Sequence, residues 1–176
     1  MAGRSGYYES VDERGEFPLE PEIYFLHLAL VVAQRREARL ERALKPTGLS
    51  VAGFRVLRVC NRFGSTTMGE LSDYSLTDRT TLTRVVDELV AAGLVARGKS
   101  AGDRRKVMLE LTAAGRRLFQ RASNLVSRDL LELMRGLPQD ELRAAIRVHQ
   151  EVVARLAESD AQLERLLWRT KAPDRR

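Results

Sequence analysis

The stretch 75–95, "SLTDRTTLTRVVDELVAAGLV", decides how the rest of the chain is interpreted. Its apolar residues recur at three- and four-residue spacing, which predicts a helix with one buried stripe. The stripe consists of Leu82, Val85, Val86, Leu89 and Val90. Thr77 is placed to cap this helix, Asp78 suits its positive N-terminus, and Gly93 ends it. We therefore expect an amphipathic helix with one exposed face.

A short helix is predicted directly before this one. Thr67 stands three residues ahead of Glu70, the arrangement of a capping box, and the helix that they open can run only to about Tyr74. Two helices separated by about three residues, the second amphipathic, form a helix-turn-helix candidate.

The stretch after Gly93 predicts a β-hairpin. "LVARGKSAGDRRKVMLEL" (94–111) contains a strand, a glycine-containing loop and a second strand with Val107, Leu109 and Leu111 on one face. A hairpin that follows a helix-turn-helix is a wing, so residues 49–112 are predicted to form a winged helix-turn-helix, hereafter the winged lobe.

Further helices flank the winged lobe. The apolar spacing from Pro21 to Lys45 predicts a long first helix, after the polar residues 1–20. Ser50 can cap a second helix that turns Phe54, Leu57 and Cys60 inward.

Two more helices are predicted after the hairpin. Thr112 can cap a helix over roughly residues 113–135, whose apolar positions are spaced to face one partner. A final helix begins near Pro138 and is expected to continue weakly as far as Trp168, before the polar tail.

Composition limits the function classes. The chain has 176 residues and a formal net charge of +6, so one compact domain and an anionic partner are favoured. The single cysteine, Cys60, excludes an internal disulfide, and with only His27 and His149 beside it no zinc spacing exists. No apolar run is long enough to span a bilayer and no signal peptide is recognisable, so we expect a cytoplasmic protein that does not bind a membrane.

The exposed face of the amphipathic helix suits DNA chemistry. A helical projection places Thr80 and Arg84 opposite the apolar stripe, with Thr81 and Thr83 on its flanks. Hydroxyl groups bind phosphates or base edges, and an arginine can fork onto guanine in the major groove. A merely solvated helix face is the alternative interpretation.

The hairpin loop concentrates positive charge. Five cations and one anion, Asp103, lie between positions 97 and 106: Arg97, Lys99, Arg104, Arg105 and Lys106. This composition suits a wing that lies across phosphates or enters a narrow minor groove. Asp103 can accept hydrogen bonds within the turn and hold the loop in shape. A solvated basic loop is again the alternative.

The run from Leu49 to Leu118 resembles the winged-helix core of the MarR family, the multiple-antibiotic-resistance regulators of bacteria and archaea. The most specific matches are "DRTTLTRVVDELVAAGLV" and "GDRRKVMLELTAAG". The resemblance implies a mainly α fold with a small β-wing, in which N- and C-terminal dimerisation helices flank the winged helix-turn-helix. The implied parts are a flexible arm (1–20), dimerisation helix 1 (21–48), the winged lobe (49–112), C-terminal dimerisation helices (113–168) and a polar tail (169–176).

The resemblance also implies functional roles. Thr80, Thr81, Thr83 and Arg84 would enter the major groove of a pseudo-palindromic operator bound by a homodimer. Arg104 or Arg105 would reach the minor groove, with Arg105 at the signature position and Asp103 bracing the wing. The family usually represses genes until a small molecule binds between the dimerisation and DNA-binding regions.

The predicted effector site combines cations with aromatic residues. The first helix carries Tyr24, His27 and Leu28 about two turns before three arginines, and Phe54 and Arg58 come from the second helix; the arginines are Arg35, Arg36 and Arg39. An aromatic carboxylate, or an acyl-CoA thioester whose phosphates meet the arginines, suits this mixture. A solvated charged face, on which Glu37 and Glu41 balance the arginines, is the simpler interpretation.

Other function classes remain as alternatives. The sequence has no phosphate-binding glycine loop, no metal cluster and no nucleophile with a matching base, so we expect neither an enzyme nor a cofactor. A winged helix that binds proteins instead of DNA is the stronger rival. A redox-sensing regulator based on Cys60 is the other, although the thiol falls on the apolar side of the second helix, which favours an inert group.

Overall fold

A computed structural model of the chain describes residues 20–75, 77–99 and 107–168. In these residues the structure is mainly helical with one two-stranded sheet, as predicted. The helices are α1 (Pro21–Leu44), α2 (Val51–Phe63), α3 (Met68–Ser75), α4 (Arg79–Ala91), α5 (Ala113–Leu133), α6 (Gln139–Leu156) and α7 (Asp160–Leu166). The strands are β1 (Val95–Lys99) and β2 (Val107–Leu111).

Three predicted helix caps are confirmed. The hydroxyl of Ser50 accepts a hydrogen bond from the N–H of Gly53 at 3.0 Å. The N–H of Thr67 donates to the Glu70 carboxylate at 2.7 Å, and the N–H of Glu70 donates back to the Thr67 hydroxyl at 3.2 Å. Thr112 caps α5 in the same manner as Ser50 caps α2. Each cap satisfies an N–H that the first helical turn leaves without a partner, so these starts are locally encoded.

One predicted helix end is wrong, and two others lie one or two residues beyond the observed ends. Helix α1 stops at Leu44 because Lys45 already belongs to a short 3-10 turn, Lys45–Thr47, and α5 stops at Leu133 instead of near residue 135. The final helix does not continue to Trp168. It ends at Leu156, Ala157 is extended, and Ser159 caps the separate helix α7.

The wing base is an antiparallel pair in which Val95 lies opposite Leu111 and Lys99 opposite Val107. Leu109 and Leu111 are buried as expected, but Val107, at the open end of the pair, is about half exposed. Thr66 forms an isolated β-bridge with β2: its N–H donates to the carbonyl of Leu109 at 3.0 Å and its carbonyl accepts from the N–H of that residue at 2.7 Å. The bridge attaches the wing to the start of the helix-turn-helix.

The chain divides after Arg42 into two compact units, and the winged lobe lies in the second. Within that unit, α2 packs against α3, α4 and α5, and its buried side chains form the centre of the core. The predicted stripe of α4 faces this core, since Leu82, Val85, Val86 and Leu89 are buried.

A close backbone contact joins α5 to the loop before the wing. A Cβ atom at Gly115 would lie 2.0 Å from the carbonyl oxygen of Leu94, so only glycine fits this position. The same loop receives the Thr112 hydroxyl, which donates to the carbonyl of Gly93 at 2.8 Å, and the Thr112 N–H, which donates to Leu94 at 3.1 Å. We call this contact the α5 joint. It sets where α4 ends and where the wing begins.

Candidate nucleic-acid interface

Helix α4 begins with a cap one residue later than predicted. Asp78, not Thr77, is the N-cap, and its carboxylate accepts from the N–H of Thr81 at 2.8 Å. The Thr77 hydroxyl donates instead to the carbonyl of Ser75 at 3.2 Å. Hydrogen bonds from the hydroxyl and the N–H of Thr81 lower the pKa of Asp78. Its anionic form is thereby favoured at the positive end of the helix.

The outward face of α4 carries the predicted side chains. Thr80, Thr83 and Arg84 are exposed and Thr81 is half-buried, while the opposite face is in the core. The hydroxyl of Thr83 donates to the carbonyl of Arg79 at 3.0 Å, which leaves its oxygen free to accept a further hydrogen bond. The helix therefore presents hydroxyl and guanidinium groups together.

Two ion pairs lie on this face. Arg84 pairs with Glu88 one turn further along at 2.5 Å, and the two side chains are 69% and 56% exposed. Asp87 pairs with Arg97 of β1 and so links α4 to the base of the wing. Exposed pairs contribute only about 0–1 kcal/mol each, so a strong external acceptor can compete for either arginine.

An open groove runs along the same face. It is lined by Arg79, Thr80, Thr83, Arg84, Asp87 and Glu88. Of these residues, Arg79, Asp87 and Glu88 are not among the predicted site residues. Their signal was available, since Arg79 follows the cap directly and residues 80, 83, 84, 87 and 88 share one helical face. What the pattern missed is that anions lie among the cations.

The predicted wing tip lies outside the described residues. Asp103, Arg104 and Arg105 all fall between positions 100 and 106, so their roles stay predictions. The wing base is described, and it places Arg97 beside α4 through the pair with Asp87.

The predicted effector residues fall in both units of the chain. In the first, the rings of Tyr24 and His27 are stacked with centroids 6.4 Å apart. Leu28, Arg35 and Arg36 are exposed, and Arg39 is partly so.

In the second unit, two predicted effector residues have contacts of their own. Phe54 is a core residue, 4% exposed, whose ring centroid lies 5.8 Å from that of Phe119. The Arg58 guanidinium lies over the Trp168 ring, 4.8 Å from its centroid. Phe54 thus serves packing, and the effector site as a whole stays a prediction.

The cysteine environment disfavours redox chemistry. Cys60 is buried, and burial raises the pKa of its thiol to about 12. The thiolate is the reactive form, so almost none is present at neutral pH. This observation weighs against the redox-sensor alternative.

The described part of the chain shows neither a metal site nor a membrane-spanning helix. Nowhere in it do three His, Cys, Asp or Glu side chains come together as a metal site requires. Among residues 20–75, 77–99 and 107–168, no helix combines the length and apolar character needed to span a bilayer.

Comparison with known proteins points to one family. A family model described as "MarR family" matches residues 47–106. The multiple antibiotic resistance protein MarR of Escherichia coli K12 is 33% identical over 113 residues, which cover 64% of this chain and 78% of that protein.

Solved structures agree with the sequence match. A mutant E. coli MarR in complex with operator DNA has a TM-score of 0.66 and 30% identity, covering 74% of this chain and 94% of that one. CouR of Rhodococcus jostii RHA1 bound to p-coumaroyl-CoA has a TM-score of 0.64 and 27% identity, covering 71% and 88%.

Proposed function

This chain belongs to the MarR family of transcriptional regulators, and from that premise we propose that it is a cytoplasmic homodimeric repressor released from operator DNA by a small aromatic acid, phenol or acyl thioester. The observation that carries the proposal is the outward face of α4, where three hydroxyl-bearing residues and two arginines lie opposite a stripe that buries Leu82, Val85, Val86 and Leu89. A helix of this kind fits the major groove of B-DNA.

Individual roles follow from position and chemistry. We assign Arg84 to base readout because a guanidinium can donate two parallel hydrogen bonds to guanine. Thr80, Thr81 and Thr83 are assigned to phosphates or base edges at shorter range. Arg104 and Arg105 are assigned to the minor groove, with Asp103 shaping the wing. The similar E. coli MarR mutant in complex with operator DNA supports operator DNA as the partner.

The homodimer is supported by apolar surface near the C-terminus. Several large apolar side chains of the second unit are exposed in the single chain: Leu130, Leu131, Leu133, Leu137, Ile146, Val148 and Leu156. Soluble proteins rarely leave so much apolar area open to water. We propose that a second copy covers it, with residues 21–48 and 113–168 as dimerisation regions around the winged lobe.

The proposed effector class is supported by side chains of the first unit and by the similar protein CouR. The first unit offers stacked rings at Tyr24 and His27 and the exposed arginines Arg35 and Arg36, which suit an aromatic group and an anion. CouR, bound to p-coumaroyl-CoA, shows that a similar fold accepts an acyl thioester of an aromatic acid.

Selection of duplexes from a random library tests DNA binding, followed by fluorescence anisotropy on the selected duplex and a scrambled control. We expect an inverted repeat with half-sites about 34 Å apart, and an affinity that falls steeply as salt rises. Equal weak binding to both duplexes, without salt dependence, would contradict the proposal and favour a protein-binding winged helix.

Titration with aromatic acids and their CoA thioesters tests induction. The effector must weaken operator binding, and operator must weaken effector binding by the same factor, because the two equilibria are linked. A compound that binds with saturation but leaves operator affinity unchanged is not the inducer.

A further inference from the structure

The end of the described chain packs against the winged lobe. The ring of Trp168 lies 6.2 Å from that of Phe63, at the end of α2, and 5.8 Å from that of Tyr74, in α3. The latter two rings lie 4.5 Å from each other. Three aromatic rings from three parts of the chain therefore form one cluster, in geometries that aromatic pairs favour.

Two arginines of α2 hold the same tryptophan. The guanidinium of Arg58 lies 4.8 Å from the centroid of the Trp168 ring and that of Arg62 lies 5.7 Å away. Arg62 also donates from Nη2 to the carbonyl oxygen of Trp168 at 3.2 Å. Cations over an indole face are attracted by its quadrupole, so both the ring and the backbone of Trp168 are bound.

A second anchor lies one turn earlier. Arg165 of α7 pairs with Asp73 of α3 at 3.2 Å, and α7 packs along α3. Trp168 itself has a backbone φ of 55°, in the left-handed region that a bulky side chain rarely adopts. Such a conformation persists only where surrounding contacts hold it.

We propose that α7 and Trp168 form a clasp, consisting of Trp168 on Arg58, Arg62, Phe63 and Tyr74 together with the Arg165–Asp73 pair, which positions the helix-turn-helix for DNA. Helix α3 packs against α4, so a clasp that holds α3 also limits how α4 can tilt. Helix α7 and Trp168 are thereby assigned a positioning role in DNA binding, in addition to the dimerisation proposed for 113–168. The inference rests on the proposed function.

Amide hydrogen exchange and operator binding on the full-length protein test the clasp. We expect Trp168→Ala to accelerate exchange in residues 68–75, to leave exchange in α5 unchanged, and to weaken operator binding about tenfold. Trp168→Phe, which keeps an aromatic ring on the cluster, should stay within about twofold of wild type. As a control, Arg155→Ala removes an exposed pair with Glu151 on α6 and should leave exchange in residues 68–75 unchanged.

Since Trp168 is the single tryptophan, its fluorescence gives a second readout with the indole in place. Arg165→Ala should increase acrylamide quenching of that emission, and Asp73→Ala should increase it by a similar amount. The double variant should be quenched no more than either single variant, because both substitutions remove the same ion pair. Unchanged exchange in α3, or faster exchange with unchanged operator affinity, would overturn the positioning role. If the wild type selects no duplex, the proposed function is contradicted. If the wild type selects a duplex but the variants bind it as tightly as wild type, only the clasp is contradicted.

Discussion

The α5 joint and the outward face of α4 differ in how tightly their residues are packed. At the joint, Gly115 packs against the Leu94 carbonyl with no room for a single added carbon. On α4, the Arg84 side chain is 69% exposed and that of its partner Glu88 is 56% exposed. The position of α4, the helix proposed to contact DNA, therefore depends on close backbone packing, while its chemistry depends on exposed side chains that can exchange partners.

The largest expected effect comes from adding one carbon at the joint. Gly115→Ala places a Cβ 2.0 Å from the Leu94 oxygen, so α5 or the loop before the wing must move. We expect the free energy of unfolding to fall by at least about 3 kcal/mol, measured by urea denaturation.

Gly69→Ala is the matched control. A Cβ at this exposed position of α3 meets only the Thr67 hydroxyl at 3.8 Å, which is ordinary contact. Alanine should raise the free energy of unfolding by about 0.4–1 kcal/mol, because it restricts the unfolded chain. Equal destabilisation by both substitutions would show that the joint is not the tight contact described.

The next effect concerns discrimination between DNA sequences. Arg84→Ala should cost about 1–3 kcal/mol in the difference between operator and scrambled duplex, while the free energy of unfolding changes by less than about 0.5 kcal/mol. Arg135→Ala, which removes a comparable exposed pair with Glu132 on α5, is the control. If Arg84→Ala weakens both duplexes equally, Arg84 contacts phosphate and not a base.

The smallest effect is expected at the N-terminal cap of α4. Asp78→Ala should lower the thermal midpoint less than Gly115→Ala does, and Asp78→Asn should retain most of the cap, because an amide oxygen also accepts from the Thr81 N–H. The folded state lowers the pKa of Asp78 below its ordinary 3.8. The stabilisation is therefore complete above that value and lost as the pH falls through the folded-state pKa.

Acid titration of the thermal midpoint checks this sign. As the solution is acidified below pH 3.8, the thermal midpoint of the wild type should fall more than that of Asp78→Ala. Parallel acid curves for the two proteins would show that Asp78 contributes no charge-dependent capping.

Sequence patterns predicted the elements where the cause is local. Ser50, Thr67 and Thr112 were recognised as caps because each hydroxyl reaches an N–H three residues on. The prediction of Thr77 as the cap of α4 is wrong, because threonine and aspartate are both good caps and the helix begins one residue later, at Asp78. The break after Leu156 was missed because apolar residues recur at helical spacing on both sides of it.

The candidate interface on α4 was predicted where its geometry depends on local sequence alone. Exposure of Thr80, Thr83 and Arg84 follows from the position of the stripe, which a helical projection gives directly. The pairing of Arg97 with Asp87 does not, because it requires β1 to lie beside α4. Phe54, predicted to line an effector site, packs on Phe119 in the core, and its role toward an effector stays a prediction because apolar residues serve either purpose.

The sequence by itself determined the order of α1 to α6, the capped starts of α2, α3 and α5, the buried face of α4 and the resemblance to the MarR family. Each depends on residues a few positions apart or on the composition of a short run. Only the tertiary structure decided that Thr66 bridges the wing, that Gly115 meets Leu94 and that Trp168 lies on the winged lobe. These contacts join distant segments, and which distant surfaces meet depends on how the whole core buries its apolar area.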